Sequence, residues 1–166
     1  MRLGLQKLSE KIPKKLHLIL GGGGALLLGH QIPLVTFDLD AISKGLTLSE
    51  LDPLIKKVAK ELNLPPDWLN PHFASFTHTL PADYTSRLVP IFEHKHLKVE
   101  GLGKEDLLIM KCFAHRSKDV SHALALINKK TNIEFVENHL DFLKSKNTPG
   151  ADAALAFFQD VLDQTV

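Results

Sequence analysis

The chain has 166 residues, 44% of them apolar and 23% charged, with a formal net charge of +1. That length suits one folded domain with a real core, and the composition excludes a disordered or fibrous chain. The near-neutral balance excludes a global field selecting nucleic acid or a membrane, and a single cysteine, Cys112, excludes an intrachain disulfide and a cysteine-rich zinc site.

Residues 3–12 place Leu5, Leu8 and Ile12 at helical spacing, and Pro13 ends the run. Lys7, Lys11, Lys14 and Lys15 make this end mildly basic and read as a solvated face. Met1-Arg2 is not followed by a signal-peptide pattern. The longest apolar run, residues 16–28, is broken by glycines and too short to span a bilayer, so a cytoplasmic location without a membrane partner is expected.

Leu16-His17-Leu18-Ile19-Leu20 reads as a buried strand that stops at Gly21-Gly22-Gly23-Gly24, with a helix from Ala25 whose N-terminus lies at the glycines. Residues 34–42 alternate as a second strand, with Thr36, Asp38 and Asp40 on one face and Val35, Phe37 and Leu39 on the other. Residues 49–62 form an amphipathic helix with Leu51, Leu54, Ile55, Val58 and Leu62 on one face, capped by Ser49 or Thr47. Pro65-Pro66-Asp67-Trp68 turns into another short helix, with Trp68 in the core, and residues 71–83 fit no regular pattern.

Residues 87–92 and 97–102 are expected as a hairpin through Glu93-His94-Lys95-His96. His94 and His96 offer two imidazoles but no further ligand pair, so zinc is not expected there. Helices follow over 104–114, from the break at 115–117 to 129, over 132–146 and over 150–164. Cys112, among Leu108, Ile109, Met110 and Phe113, reads as a buried small hydrophobe. Arg116, Lys118 and Asp119 at the helix break suggest a local ion pair. The order predicts an α+β fold with a small mixed sheet flanked by helices. It divides into a core over 1–103 and a C-terminal helical region over 104–166, packed as one compact domain.

The chemistry concentrates at the glycines and the second strand. A strand that runs through glycines into a helix presents unpaired N–H groups and a helix dipole, which attract phosphate; a tight turn would need the same glycines. Asp38 and Asp40, same-face neighbours about 6.5–7 Å apart along a strand, repel one another unless a cation lies between them. Mg²⁺ suits such a pair together with substrate phosphates; a strand end facing water would also explain it. Gly24 and Gly29 have P-loop spacing, but His30-Gln31 replace the required Lys-[Ser/Thr], which rejects that motif. A dinucleotide fingerprint fits Gly21, Gly23 and Asp40, but it has Leu26 at the third glycine and leaves Asp38 unexplained.

Gly22-Gly23-x-Ala25-Leu26, Gly29 and Thr36-x-Asp38-Leu39-Asp40 together resemble the nucleotidyltransferase fold superfamily, in which a glycine turn precedes an Asp-x-Asp strand. Leu64-Pro65-x-Asp67-Trp68-Leu69-Asn70, Asp83-Tyr84-x-Ser86-Arg87-Leu88, Glu105-Asp106-Leu107-Leu108-x-Met110-Lys111 and Arg116-x-Lys118-Asp119 resemble a bacterial group related to nucleotidyltransferase-like components of abortive-infection and toxin–antitoxin systems. The resemblance implies Mg²⁺ on Asp38 and Asp40, an NTP substrate held by Gly22, Gly23, Gly24 and Thr36, and Lys111 on its phosphates. The acceptor (a protein, a tRNA or a small molecule) leaves no sequence trace. Leu34 stands where relatives commonly carry Arg, and His122 where an acidic residue often recurs. The superfamily's third carboxylate has only Glu100, with Glu93 behind it, as candidates. A transferase, and a non-catalytic relative binding a nucleotide or a partner protein, both remain open.

Overall fold

The computed structural model describes residues 1–165. Their contacts cluster into two units: Met1–Ser75 with Leu88–Leu102, and Phe76–Arg87 with the chain from Gly103 onward. Residues 76–87 thus group with the helices that follow Gly103.

The first unit is a five-stranded mixed sheet with three helices. Strands β1 (Leu16–Leu20), β2 (Leu39–Lys44), β3 (Leu69–Asn70), β4 (Val89–His94) and β5 (Leu97–Gly101) lie in the order β3-β2-β1-β5-β4. β1 is central, antiparallel to β2 and parallel to β5, and β4–β5 is the expected hairpin. Leu18, Ile19 and Leu20 are fully buried, as a central strand requires. Helix α1 (Arg2–Lys11) packs on β4 and on α3 (Leu48–Leu62), and α2 (Gly22–Gly29) lies over β2, β4 and β5.

Thr47 is the N-cap of α3. Its hydroxyl accepts from the Glu50 N–H, and the Glu50 carboxylate accepts from the Thr47 N–H, forming a capping box. Trp68 is fully buried and donates its indole N–H to the Ile55 carbonyl (3.1 Å). Gly4 on α1 makes room for its ring: a Cβ there would come within 2.9 Å of Trp68 Cζ3. The turn before Trp68 leads into β3 rather than the expected helix, because the Trp68 carbonyl accepts from Leu39 N–H (2.7 Å) and draws the segment onto the sheet edge.

The second strand is shorter than its alternation predicts. Residues 34–38 lie outside β2, and Val35 and Phe37 are 82% and 74% exposed rather than facing a core. Alternation indicates which faces would be apolar but supplies no partner for the backbone. The neighbouring edge strand β3 pairs only with Leu39 and Asp40, so the ladder stops there.

In the second unit, α4 (Lys104–Ala114) is packed by α5 (Ser117–Ile127), α6 (Ile133–Ser145) and α7 (Ala151–Asp163). Residues 106–112 of α4 are all buried, the pattern of a helix surrounded by others. Cys112 lies among them, and burial raises its thiol pKa. The stretch 71–83, without regular patterning, holds a 3₁₀ segment over His72–Thr79, of which residues from Phe76 belong to this unit, and a second 3₁₀ segment, Tyr84–Arg87, follows it. Arg87 makes a two-pronged contact to the buried Asp106 carboxylate (3.1 and 2.8 Å), and His139 Nε2 lies 2.8 Å from the Thr79 carbonyl. These bonds explain why 76–87 associates with the helices. No helix of the described residues is long and apolar enough to cross a membrane.

Candidate active site

β1 ends at Leu20 and the chain turns at once into α2. Gly21 donates its N–H to the Asp40 carbonyl (2.9 Å), fastening the turn to β2. Gly22 has φ +54°, a left-handed value that side chains resist, and a Cβ there would run into the Asp40 carboxylate. A Cβ on Gly23 would come within 3.1 Å of Thr36 Oγ1, and one on Gly24 within 2.6 Å of Leu39 Cδ2. On Gly21 it would meet the Phe73 ring at 2.7 Å. The bare glycines therefore seat the start of α2 directly on residues 36–40. The N–H groups of Gly22, Gly23 and Gly24 precede the first intrahelical bond, from Ala25 N–H to the Gly21 carbonyl (3.1 Å). They are the donors that a helix N-terminus offers an anion.

Asp40 projects from β2, and Asp38 stands just before it. Although residue 38 lies outside the strand, the expected grouping with Thr36 is present: Thr36 donates its hydroxyl to the Asp38 carbonyl (3.1 Å) and carboxylate (3.2 Å). β3 brings a third element. Asn70 pairs with Asp40 in parallel register, and its buried amide donates to Asp38 Oδ2 (3.2 Å) and to the Asp67 carbonyl (3.3 Å). The amide oxygen of Asn70 accepts from His72 N–H (2.9 Å). His72 thereby joins the carboxylates: one potential ligand atom from each of Asp38, Asp40 and His72 lies within 4.8 Å of the others.

Two carboxylates and an imidazole are a chemically reasonable donor set for a divalent cation. The sequence reading missed His72 because it lies more than thirty residues from the aspartates and among nine histidines. Its position follows from β3, an element of two residues that periodicity cannot detect. The one available signal was Leu69-Asn70-Pro71-His72, a polar break directly after a buried tryptophan.

The other candidates have different partners. Glu100 on β5 lies two strands from Asp40, about 10 Å across a sheet. Lys98 Nζ (2.9 Å) and His17 Nε2 (2.7 Å) are at its carboxylate. Burial raises the Glu100 pKa, but the hydrogen bond and charge of Lys98 and the contact with His17 lower it further, for a net depression. Glu93 is exposed on β4. His94 Nδ1 lies 2.7 Å from Ser9 Oγ, a structural contact between α1 and β4.

Lys111 belongs to the helical unit. It is 4% exposed, and its ammonium donates to Asp119 Oδ1 (2.7 Å). Asp119 also accepts from Arg116 Nε (2.7 Å) and from Arg116 N–H (3.2 Å), which realises the expected ion pair at the helix break. Burial pushes the Asp119 carboxyl up, but the bonds from Arg116 and Lys111 prevail and hold it at about 2.

The family profile described as "Nucleotidyltransferase of unknown function (DUF6036)" matches residues 4–151. No curated protein and no solved structure matches the chain.

Proposed function

The chain belongs to this DUF6036 family of nucleotidyltransferases of unknown function, and we propose that it transfers a nucleotidyl group from an NTP to an acceptor hydroxyl in a Mg²⁺-dependent reaction. The observation that carries this reading is the convergence of Asp38 and Asp40 beside the glycine N-terminus of α2. In the reaction the acceptor oxygen bonds to the α-phosphorus, pyrophosphate departs with the bridging oxygen, and the hydroxyl proton passes to solvent. Asp38 and Asp40 would hold the cation, which when bound supplies charge neutralisation at the phosphates. Gly22, Gly23 and Gly24 direct backbone donors at the triphosphate, and Thr36 fixes the Asp38 carboxylate. The work of the protein is positioning and electrostatics. The resemblance assigns Lys111 to phosphate charge; its ammonium is held by Asp119, so this reading relies on the glycines and the cation.

A second reading, a non-catalytic nucleotide- or partner-binding module of the toxin–antitoxin kind, is favoured by one observation. The third donor beside the aspartates is an imidazole rather than a carboxylate, while Glu100 is engaged by Lys98 and His17. Transfer assays with NTP labelled on the α-phosphate, offered protein, tRNA and small-molecule hydroxyls, separate the two. Transferase activity requires labelled product with the wild type and at least a hundredfold loss in Asp38→Asn or Asp40→Asn. Nucleotide binding with no product on any acceptor selects the second reading.

A further inference from the structure

Resting on the metal site just proposed, we infer that His72 is a direct third ligand, and that this site prefers a first-row transition cation such as Mn²⁺ over Mg²⁺. His72 Nδ1 lies 3.9 Å from Asp40 Oδ1, too long for a hydrogen bond. On an octahedral ion with bonds of about 2.1 Å, ligand atoms sit about 3 Å apart at right angles and about 4.2 Å apart when opposed. The observed separation falls inside that span, and the imidazole, 68% exposed, is free to close the remaining gap by rotation.

A second, independent feature is the buried Asn70 amide. One end donates to Asp38 and the other accepts from the backbone of His72, so a single side chain sets the spacing of two ligand-bearing residues. That is the task of an outer residue orienting metal ligands. A surface ion pair between His72 and Asp40 would need no such arrangement. Nitrogen donors add little affinity for Mg²⁺, a hard cation that takes oxygen and keeps its waters, whereas imidazole binds transition ions well.

The test is spectroscopic and calorimetric. Pulsed electron paramagnetic resonance of Mn²⁺ bound to the wild type should show coupling to an imidazole nitrogen, and His72→Ala should abolish it. The same variant should weaken Mn²⁺ binding by about tenfold or more while changing Mg²⁺ binding less than threefold. His72 is exposed, so His72→Ala should leave the melting temperature unchanged, and that measurement separates ligand loss from a folding defect. Absence of nitrogen coupling in the wild type, or equal loss of both cations in His72→Ala, overturns the inference and leaves the aspartate site standing. If Asp38→Asn/Asp40→Asn binds Mn²⁺ as the wild type does, the aspartate site itself is wrong.

Discussion

At the scale of single residues, Gly22 carries the strictest requirement in the candidate site. Its left-handed φ and its contact with the Asp40 carboxylate are separate reasons to exclude a side chain. Gly22→Ala should cost about 1–3 kcal/mol of stability, from the backbone strain and the displaced carboxylate. It should also weaken divalent-cation binding, because Asp40 must move. Thermal unfolding and calorimetry read the two effects, and wild-type values in both would contradict the close packing of α2 on β2. In the sequence this position stood out for one reason only. Space for phosphate was inferred from four consecutive glycines, whereas three of them, Gly22 to Gly24, also face Asp40, Thr36 and Leu39. Such a contact depends on how the turn folds back and is invisible in the chain itself.

At the scale of elements, helices were the most legible because their signals are local. The apolar spacing of residues 49–62 and the acidic first turn of α4 are complete within each segment. The strand over 34–42 was overextended because alternation is silent about pairing, and β3 was missed because two residues have no period. The junction of α4 and α5 shows an element-level energetic consequence. Asp119 is fully buried, and Lys111 and Arg116 keep its carboxyl at about 2, below the ordinary 3.8. A depressed carboxyl contributes stability in full above the unfolded pKa, and that contribution disappears as pH falls through the folded value. Denaturation measured from about pH 5 to pH 2 should therefore show a loss of about 2 kcal/mol from this group. Asp119→Asn should remove that component and, by leaving the Lys111 ammonium buried without its counter-charge, cost about 3–5 kcal/mol near neutrality. A variant with wild-type stability and an unchanged acid profile would contradict the pair's role.

At the scale of the whole molecule, the α+β class and the family were legible because the order of loose motifs carried more information than any one of them. Of the candidate site, half was legible. Asp38 and Asp40 are two residues apart and announce themselves, while Asn70 and His72 reach them only through the pairing of β3 with β2. The contact units likewise join segments distant in sequence, with residues 76–87 tied to the helices by Arg87–Asp106 and His139–Thr79.

The central claim is that Asp38 and Asp40 form, with the α2 glycines, one site for a divalent cation and a triphosphate. Calorimetric titration of ATP, GTP, CTP and UTP, each with and without divalent cation, tests it most directly. The account predicts that at least one triphosphate binds in a cation-dependent manner, and that Asp38→Asn/Asp40→Asn weakens this binding at least tenfold. Binding that is indifferent to the cation, or retained in full by the double variant, would contradict it.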